Sequence, residues 1–249
     1  KEYEKIGVYA DGYYKQINAN TLQIENEYYS TVRPKPDSNL LMRPSKALLE
    51  SGVNYIELRS IDNNIFFTTG IDIEQMYFLE LLIIHSLFSN DSEINKQEYL
   101  EIKNNLTSVA HNGRDKKHKL KINSKDKLIS EAIGEIFIEL NKIAEMMDKI
   151  SNSNNYSKCI KNQKKKLNNN KELPSNVVID KMKEKRISFY EFCMGNILKQ
   201  KKHFFNMKMD NAIIEKLKRE TKNSIIKKNN LEEDNKQIYE DYIKQYFLD

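Results

Sequence analysis

The spacing of the apolar residues changes along this chain near Asp72, and that change restricts the folds open to it. Before Asp72, short aromatic and β-branched runs alternate with turn residues, which is typical of strands. After it, apolar residues recur at three- and four-residue steps, which is typical of helices packed on a core. Strands followed by helices, without alternation of the two, predict an α+β fold.

The β-rich part is predicted to cover residues 1–72. Within it, the turn signal Ala10-Asp11-Gly12 separates two short runs and indicates a hairpin. Pro34 and Pro36 have no backbone N–H, so their segment is predicted to be extended or looping and outside any central strand. The predicted strands are residues 5–9, 13–17, 21–29 and 53–60, with a short helix over residues 43–51.

The mainly helical part is predicted to cover residues 73–249. Its Lys/Asn-rich stretch, residues 158–171, carries few apolar side chains and is predicted to be a solvated loop. This stretch lies within a loop region predicted for about residues 151–175. The predicted helices are residues 73–88, 99–110, 127–150, 188–200 and 211–226.

Composition argues against two classes of partner. The formal charge is +5 at pH 7, but the lysines are interspersed with Glu and Asp. Lys, Asn, Ile and Tyr are favoured together, and because their codons are rich in A and T, genome composition explains the charge. We therefore expect no nucleic-acid partner, and a basic binding module stays an alternative function. Since no apolar run reaches the ~20 residues of a membrane span, we expect no membrane partner.

The cysteines and histidines have no spacing typical of a metal site. Cys159 and Cys193 are far apart and are expected to be reduced thiols, which predicts a cytoplasmic protein. The four histidines form no HxxxH or HExxH pattern. The chain does not start with Met and shows no secretory signal, so its start is interpreted as an internal point of a longer protein.

The segment Asn54-Tyr55-Ile56-Glu57-Leu58-Arg59-Ser60 carries the strongest chemical signal. Side chains alternate along a strand, so Glu57 and Arg59 share one face while Ile56 and Leu58 point towards a core. A carboxylate offers oxygen ligands to Mg²⁺, and a guanidinium offers a planar fork to phosphate. Together they suit phosphoryl transfer. The alternative is a solvent-facing ion pair with no catalytic role.

Other charged residues are weaker candidates. Gln23, Glu25 and Glu27 would form an acidic face on the predicted strand at residues 21–29, with a plain exposed edge strand as the alternative. Arg33 is a candidate anion contact, and Arg114, after the tight turn at Gly113, is a candidate phosphate contact. Neither GxxxxGK[ST] nor GxGxxG is present, so a nucleotide would be held by another device.

Several short motifs follow each other in fixed order over the first part of the chain. They are Gln16-Ile17-Asn18, Leu22-Gln23-Ile24-Glu25-Asn26-Glu27, Val32-Arg33-Pro34-Lys35, Pro44-Ser45, Tyr55-Ile56-Glu57-Leu58-Arg59-Ser60-Ile61-Asp62, and Gly70 with Asp72. In this order and spacing the chain resembles glutamate–cysteine ligases of the proteobacterial type, nearly without gaps from Tyr3 to Asn90. The likeness weakens afterwards and fades beyond Ser151.

This resemblance implies a fold and a reaction. The implied fold is part of a glutamine-synthetase-like antiparallel sheet that forms a funnel-shaped site, followed by a mainly helical region. The implied reaction is the ATP-dependent joining of L-glutamate to L-cysteine through a γ-glutamyl phosphate, the first step of glutathione synthesis. ATP and Mg²⁺ or Mn²⁺ are the implied cofactors.

The resemblance also implies roles for individual residues. Glu57 matches a metal ligand of the family, and Arg59 matches the arginine that contacts the transferring phosphate. Tyr29 matches a tyrosine of the cysteine pocket, while Asn26 and Arg33 match positions near the substrates. All five belong to the matching segment.

The chain also departs from the family pattern. It resembles only the C-terminal half, so the remaining metal ligands belong to a missing N-terminal half. The isolated chain is therefore expected to be inactive without that partner. Family prolines after the Glu57 strand are replaced by Ile65 and Thr68, which loosens the loop and keeps open a decayed, non-catalytic remnant as the alternative.

Overall fold

The computed structural model describes residues 2–37, 42–89, 93–234 and 239–248. These residues are mainly helical, with small antiparallel sheets of two strands each. The chain divides into two compact units, one formed by residues 1–62 and 208–249 and the other by residues 63–207. The division predicted from the sequence, residues 1–72 and 73–249, stays a prediction.

Helices account for most of the described residues. They are α1 Glu2–Ile6, α2 Pro44–Ser51, α3 Ile73–Phe88, α4 Lys96–Asn112, α5 Ile129–Ser151, α6 Asn155–Asn168, α7 Pro174–Lys185, α8 Phe189–Phe205, α9 Asn211–Asp234 and α10 Tyr239–Leu248, with 3-10 turns at Glu25–Glu27 and Asn170–Glu172. The strands are β1 Tyr9–Ala10, β2 Tyr13–Tyr14, β3 Val32–Lys35, β4 Tyr55–Leu58, β5 Lys119–Ile122 and β6 Lys125–Leu128.

The hairpin expected at Ala10-Asp11-Gly12 is present but short. Strands β1 and β2 are antiparallel, with Tyr9 opposite Tyr14. The turn residues Asp11 and Gly12 have φ of 57° and 87°, the left-handed region that Asp and Gly tolerate best. The predicted strand over residues 5–9 is wrong at its start, because α1 continues to Ile6.

The strand predicted over residues 21–29 is wrong. The segment folds into irregular turns and a 3-10 turn, because its polar side chains satisfy its own backbone. A carboxylate oxygen of Glu27 accepts from the Gln23 N–H at 2.9 Å, and the Asn18 side chain donates to the Gln23 carbonyl at 2.9 Å. These local bonds replace the ladder that a neighbouring strand would provide.

Strands β3 and β4 form an antiparallel pair with a defined register. Arg33 lies opposite Glu57, and Lys35 lies opposite Tyr55. Pro34 is accommodated because each strand of a two-stranded sheet has an open edge, where a missing N–H costs no ladder bond. This agrees with the expectation that the Pro34 segment is extended and not central.

The core of the unit formed by residues 63–207 lies among α3, α5 and α6. Helix α3 begins at a capping box in which Asp72 accepts from the Gln75 N–H at 2.7 Å and the Gln75 side chain accepts from the Asp72 N–H at 3.2 Å. The predicted helices at residues 73–88 and 127–150 are both present, the second as α5. The buried core side chains are Leu81, Phe137, Leu140, Ala144, Tyr156 and Ile160.

The loop predicted at residues 158–171, and the wider one at about residues 151–175, are wrong, because α6 and the start of α7 occupy that region. Tyr156, Cys159 and Ile160 lie on one side of α6 and are buried. The lysines lie mainly at the other positions of α6. Because the apolar face is narrow, the overall composition of the stretch indicated a loop although it forms a helix.

Besides α1, α6 and α7, two further elements were not predicted. One is the β5–β6 hairpin, whose turn residues Asn123 and Ser124 have φ of 50° and 62°. The other is α10, which belongs to the same unit as the β3–β4 pair. Over the described ranges, no helix combines the length and apolar composition that crossing a membrane requires.

Candidate active site

The β3–β4 pair collects charged side chains on one face. Residues two apart on a strand share a face, and directly opposed residues share it across the pair. Arg33 and Lys35 of β3 therefore share a face with Tyr55 and Glu57 of β4. This register, which links residues far apart in sequence, creates the cluster.

Glu57 is bonded by two cations. Arg59 Nε donates to Glu57 Oε1 at 2.9 Å, and an Arg59 terminal nitrogen donates to Glu57 Oε2 at 3.2 Å. Lys35 Nζ lies 3.2 Å from Glu57 Oε2. Because Glu57 and Arg59 are bonded to each other, their side chains lie on the same side of the strand. They are 36% and 26% exposed, and are therefore partly shielded from water. The alternation of strand side chains predicted this shared face.

These contacts keep both the Glu57 carboxylate and the Arg59 guanidinium charged. The side-chain hydrogen bond from Arg59, followed by that from Lys35, lowers the pKa of Glu57 below its ordinary value. The same hydrogen bond to Glu57 raises the pKa of Arg59. At neutral pH the face therefore carries one carboxylate among several cations.

The other predicted site residues adjoin this cluster. The Tyr29 hydroxyl donates to the Arg59 carbonyl at 3.4 Å, and the Arg59 guanidinium carbon lies 5.6 Å from the centre of the Tyr29 ring. Arg33, opposite Glu57, donates to the Asn26 carbonyl at 3.4 Å. All five predicted site residues thus lie close together. The contact between Arg33 and Asn26 involves the backbone carbonyl of Asn26 and not its side chain.

The opposite face of the pair differs from the prediction. Ile56 was expected to point towards a core, but it is 42% exposed, and Val32 on the same face is 46% exposed. The expectation was wrong for Ile56, because the elements that the structure describes leave this side chain exposed.

A second cluster around Glu25 was not predicted in this form. Its carboxylate accepts from the Ser45 N–H at 2.9 Å, from the Ser45 hydroxyl at 2.8 Å, and from Arg43 at 3.0 and 2.6 Å. Burial opposes ionisation of Glu25, but the hydrogen bonds from Ser45 and Arg43 outweigh it and lower its pKa. Glu25 therefore caps the start of α2, a structural role.

A cavity of about 590 Å³ lies beside Arg33. Its wall includes Asn18, Leu22, Tyr28, Arg33 and Tyr246. This volume is in the range of small-molecule sites, about 300–1,000 Å³. Arg33 thus lies both on the face of Glu57 and at the wall of a cavity large enough for an amino acid.

The donor atoms of this chain do not by themselves suit a metal ion. Mg²⁺ requires a nearly octahedral set of oxygen ligands. Glu57 supplies one carboxylate, already bonded to Arg59 and Lys35. Within the part of the chain that the structure describes, no group of three His, Cys, Asp or Glu side chains is placed to hold a metal.

Arg114, the other predicted phosphate contact, belongs to the second unit. One of its terminal nitrogens donates to the Asn176 side chain at 2.7 Å, and the other contacts the Ser175 hydroxyl. Both partners are neutral, and both lie at the start of α7.

Comparison with known proteins places this arrangement in a class. Residues 1–109 match the family model for glutamate-cysteine ligase. The crystal structure of a Francisella tularensis glutamate–cysteine ligase in complex with AMP superposes with a TM-score of 0.86 at 28% identity, over 99% of this chain and 49% of that chain. The fold of this chain is therefore that of about half of the Francisella tularensis ligase.

Curated relatives lead to the same family. The glutamate–cysteine ligase of Alcanivorax borkumensis is 33% identical over 99% of this chain and 48% of its own length. That of Buchnera aphidicola is 37% identical over 65% of this chain and 32% of its own length. The chain belongs to the glutamate–cysteine ligase family, and it spans about half the length of the curated relatives it matches. The match to the Alcanivorax borkumensis relative extends past Ser151, beyond the last short motif that resembles the family.

Proposed function

We propose that this chain is the C-terminal half of an ATP-dependent ligase that forms γ-glutamylcysteine from L-glutamate and L-cysteine. The observation that carries the proposal is the hydrogen-bonded pair of Glu57 and Arg59 on one strand face, with Lys35 and Arg33 beside it. A cationic face with a single carboxylate suits the handling of phosphate groups more than a solvent-facing ion pair does.

The reaction has two steps. The terminal phosphoryl group of ATP passes to an oxygen of the glutamate γ-carboxylate, and its bond to ADP breaks. The cysteine amine then attacks the γ-carbonyl carbon, a C–N bond forms, and inorganic phosphate leaves while the amine loses a proton. Bound Mg²⁺ or Mn²⁺ would supply charge neutralisation at the phosphates.

The residues of the chain take distinct parts in this proposal. Arg59 contacts the transferring phosphoryl group through its planar guanidinium, and Glu57 orients Arg59. In a complete site, Glu57 would also offer one oxygen ligand to a bound metal. Tyr29 lines the cysteine side of the site, and Asn26 and Arg33 contact the substrates. The remaining metal ligands would come from the N-terminal half.

The same proposal explains the small sheet. We infer that β3 and β4 are part of a larger antiparallel sheet of the glutamine-synthetase-like type, whose other strands lie in the N-terminal half. The exposed apolar side chains of Val32 and Ile56 support this inference, because a covered sheet face would bury them.

Complementation of the two halves tests the proposal. The chain is co-expressed with the N-terminal half of the Alcanivorax borkumensis relative, and ADP release is measured with glutamate, cysteine and both together. We expect ADP release that depends on glutamate and the dipeptide product only when cysteine is added. A folded complex of the two halves that releases no ADP contradicts the proposal.

Substitution of this pair, Glu57 and Arg59, then tests the roles. Glu57→Gln and Arg59→Lys should each lower turnover by about 100-fold or more, since each removes a charge or the planar fork at the phosphoryl group. Glu50→Gln, at an exposed carboxylate of α2, is the matched control and should leave turnover unchanged. Turnover that survives Glu57→Gln would show that its carboxylate has no part in catalysis.

A further inference from the structure

The unit formed by residues 63–207 contains a second cavity, of about 460 Å³, outside the ligase site proposed above. It lies where the turn at Gly113–Lys116 and helices α5 and α6 meet. Its volume falls within the range of small-molecule sites, about 300–1,000 Å³.

The rim of this cavity is strongly cationic. Arg114, Lys116, Lys164 and Lys166 line it, together with the single carboxylate of Asp115. That carboxylate is engaged locally, because it accepts from the Lys117 N–H at 2.9 Å. In the residues that the structure describes, the recorded partners of Arg114 and Lys166 are neutral: Asn176 and Ser175 for the first, Gln163 for the second.

The lining of the cavity therefore carries more cations than carboxylates. Lys164 and Lys166 are also half-buried, which weakens screening by water. A concave site lined by one sign of charge concentrates the field and attracts a ligand of opposite charge. The rim thus favours an anion.

The floor of the cavity is apolar. Phe137, Ile133 and Leu173 contribute to it, and Phe137 is only 6% exposed. Lys164 Nζ lies 5.8 Å from the centre of the Phe137 ring, so the charged rim meets an aromatic surface at this point. An inorganic anion would use the rim alone, whereas a ligand with a flat apolar body and a charged end would use both.

Gly134 keeps this space open. It lies in the interior of α5 and lines the cavity, and a Cβ built at this position meets no atom within 4 Å. Glycine is the poorest helix former after proline, and no close backbone approach requires it here. A residue that weakens the helix without a packing reason points to a use for the empty volume.

We propose that this cavity binds a small organic phosphate with a flat apolar body, of the size of a nucleoside monophosphate. The body lies on the Phe137 floor, and the phosphate contacts Lys164, Lys166 and the Gly113–Lys116 turn. This site goes beyond the proposed ligase function and does not depend on it, since its residues belong to a different unit from Glu57 and Arg59.

Calorimetric titration of the 249-residue chain with AMP, adenosine and inorganic phosphate tests the site. We expect one AMP per chain, with adenosine and phosphate each binding at least about tenfold more weakly, because each uses half of the cavity. Equal affinity for AMP and phosphate would overturn the proposal, and so would equal affinity for AMP and adenosine.

Variants locate the ligand. Gly134→Met should fill the cavity and lower AMP affinity by about tenfold or more without lowering the thermal midpoint, since Met is a better helix former and meets open space. Lys164→Gln should weaken AMP by about tenfold, while Lys165→Gln, on the same helix but outside the cavity, should not.

Glu57→Gln separates this site from the ligase site. AMP binding that survives Glu57→Gln and is lost in Gly134→Met supports the cavity. AMP binding lost in Glu57→Gln and retained in Gly134→Met places the nucleotide at the β3–β4 face and overturns the proposal.

Discussion

The carboxylates of this chain differ in role, and the role of Asp148 is structural. Its side chain near the end of α5 accepts from the N–H groups of Tyr156 and Ser157 at 2.9 and 3.0 Å, which caps the start of α6. We expect Asp148→Asn to lower the free energy of unfolding by about 1–2 kcal/mol at pH 7, measured by urea denaturation. Glu145→Gln, an exposed carboxylate on the same helix, is the control and should change it by less than about 0.5 kcal/mol.

The same residue predicts a pH dependence. Burial opposes ionisation of Asp148, but hydrogen bonds from Ser157 and Tyr156 outweigh it, so its folded pKa is lowered. A lowered folded pKa stabilises the fold above the unfolded pKa, about 3.9 for Asp, and this contribution is lost as the pH falls through the folded pKa. The stability difference between wild type and Asp148→Asn should therefore be largest near neutral pH and shrink below about pH 4. A difference that stays constant down to the acid limit would exclude the charged cap.

The sequence predicts part of the candidate site at this scale. The shared face of Glu57 and Arg59 follows from the alternation of side chains along one strand, which is local information. The contact of Lys35 with Glu57 does not, because it depends on the pairing of strands separated by the whole of α2. The roles of Tyr29 and Asn26 follow from the family resemblance alone, whereas Arg33 is also a candidate anion contact without it.

Helix α5 is the element on which the core of its unit depends. Leu140 is fully buried at 0% exposure, among Leu81, Phe137 and Ala144. Leu140→Ala should lower the free energy of unfolding by about 2–5 kcal/mol, because it removes buried methyl groups and leaves a cavity. Urea denaturation measures this loss, and Ile138→Ala, at a position 57% exposed, is the control. Similar losses for both variants would mean that α5 does not pack as described.

Elements with strong apolar periodicity were predictable, whereas the lysine-rich helix α6 and the lysine-rich β5–β6 hairpin were not. Helices α3 and α5 have broad apolar faces and were predicted close to their observed bounds. Helix α6 carries its buried side chains at Tyr156, Cys159 and Ile160 within a Lys/Asn-rich stretch, so composition indicated a loop. The β5–β6 hairpin was not predicted either, because its strands are short and rich in lysine. Asn123-Ser124 between these strands is nevertheless a turn signal.

The exposed apolar face of the β3–β4 pair leads to a prediction for the whole molecule. Under the proposed function, the N-terminal half covers Val32 and Ile56, which are 46% and 42% exposed here. Ile56→Lys should therefore reduce the amount of N-terminal half that co-purifies with this chain by about tenfold, since it places a charge in a buried contact. The matched control is Ile138→Lys, on α5, which should leave co-purification unchanged.

Circular dichroism accompanies this measurement, because a substitution that unfolds the chain would also abolish capture. A folded Ile56→Lys variant that captures the N-terminal half as well as wild type would show that this face is not the surface between the halves. The complementation test of activity would remain valid after such a result, because it does not depend on which surface joins the two halves.

The unit that contains Glu57 is built from two segments far apart in the sequence, and this affects the order in which its contacts form. The Glu25 N–H donates to the Tyr246 hydroxyl at 3.4 Å, and the Arg43 guanidinium carbon lies 5.7 Å from the centre of the Tyr246 ring. During synthesis the contiguous segment of residues 63–207 can complete its fold as soon as it leaves the ribosome. In the unit bearing Glu57, Glu25 and Arg43 gain their contacts with Tyr246 only after α10 has emerged, so they stay without these contacts while residues 63–207 fold.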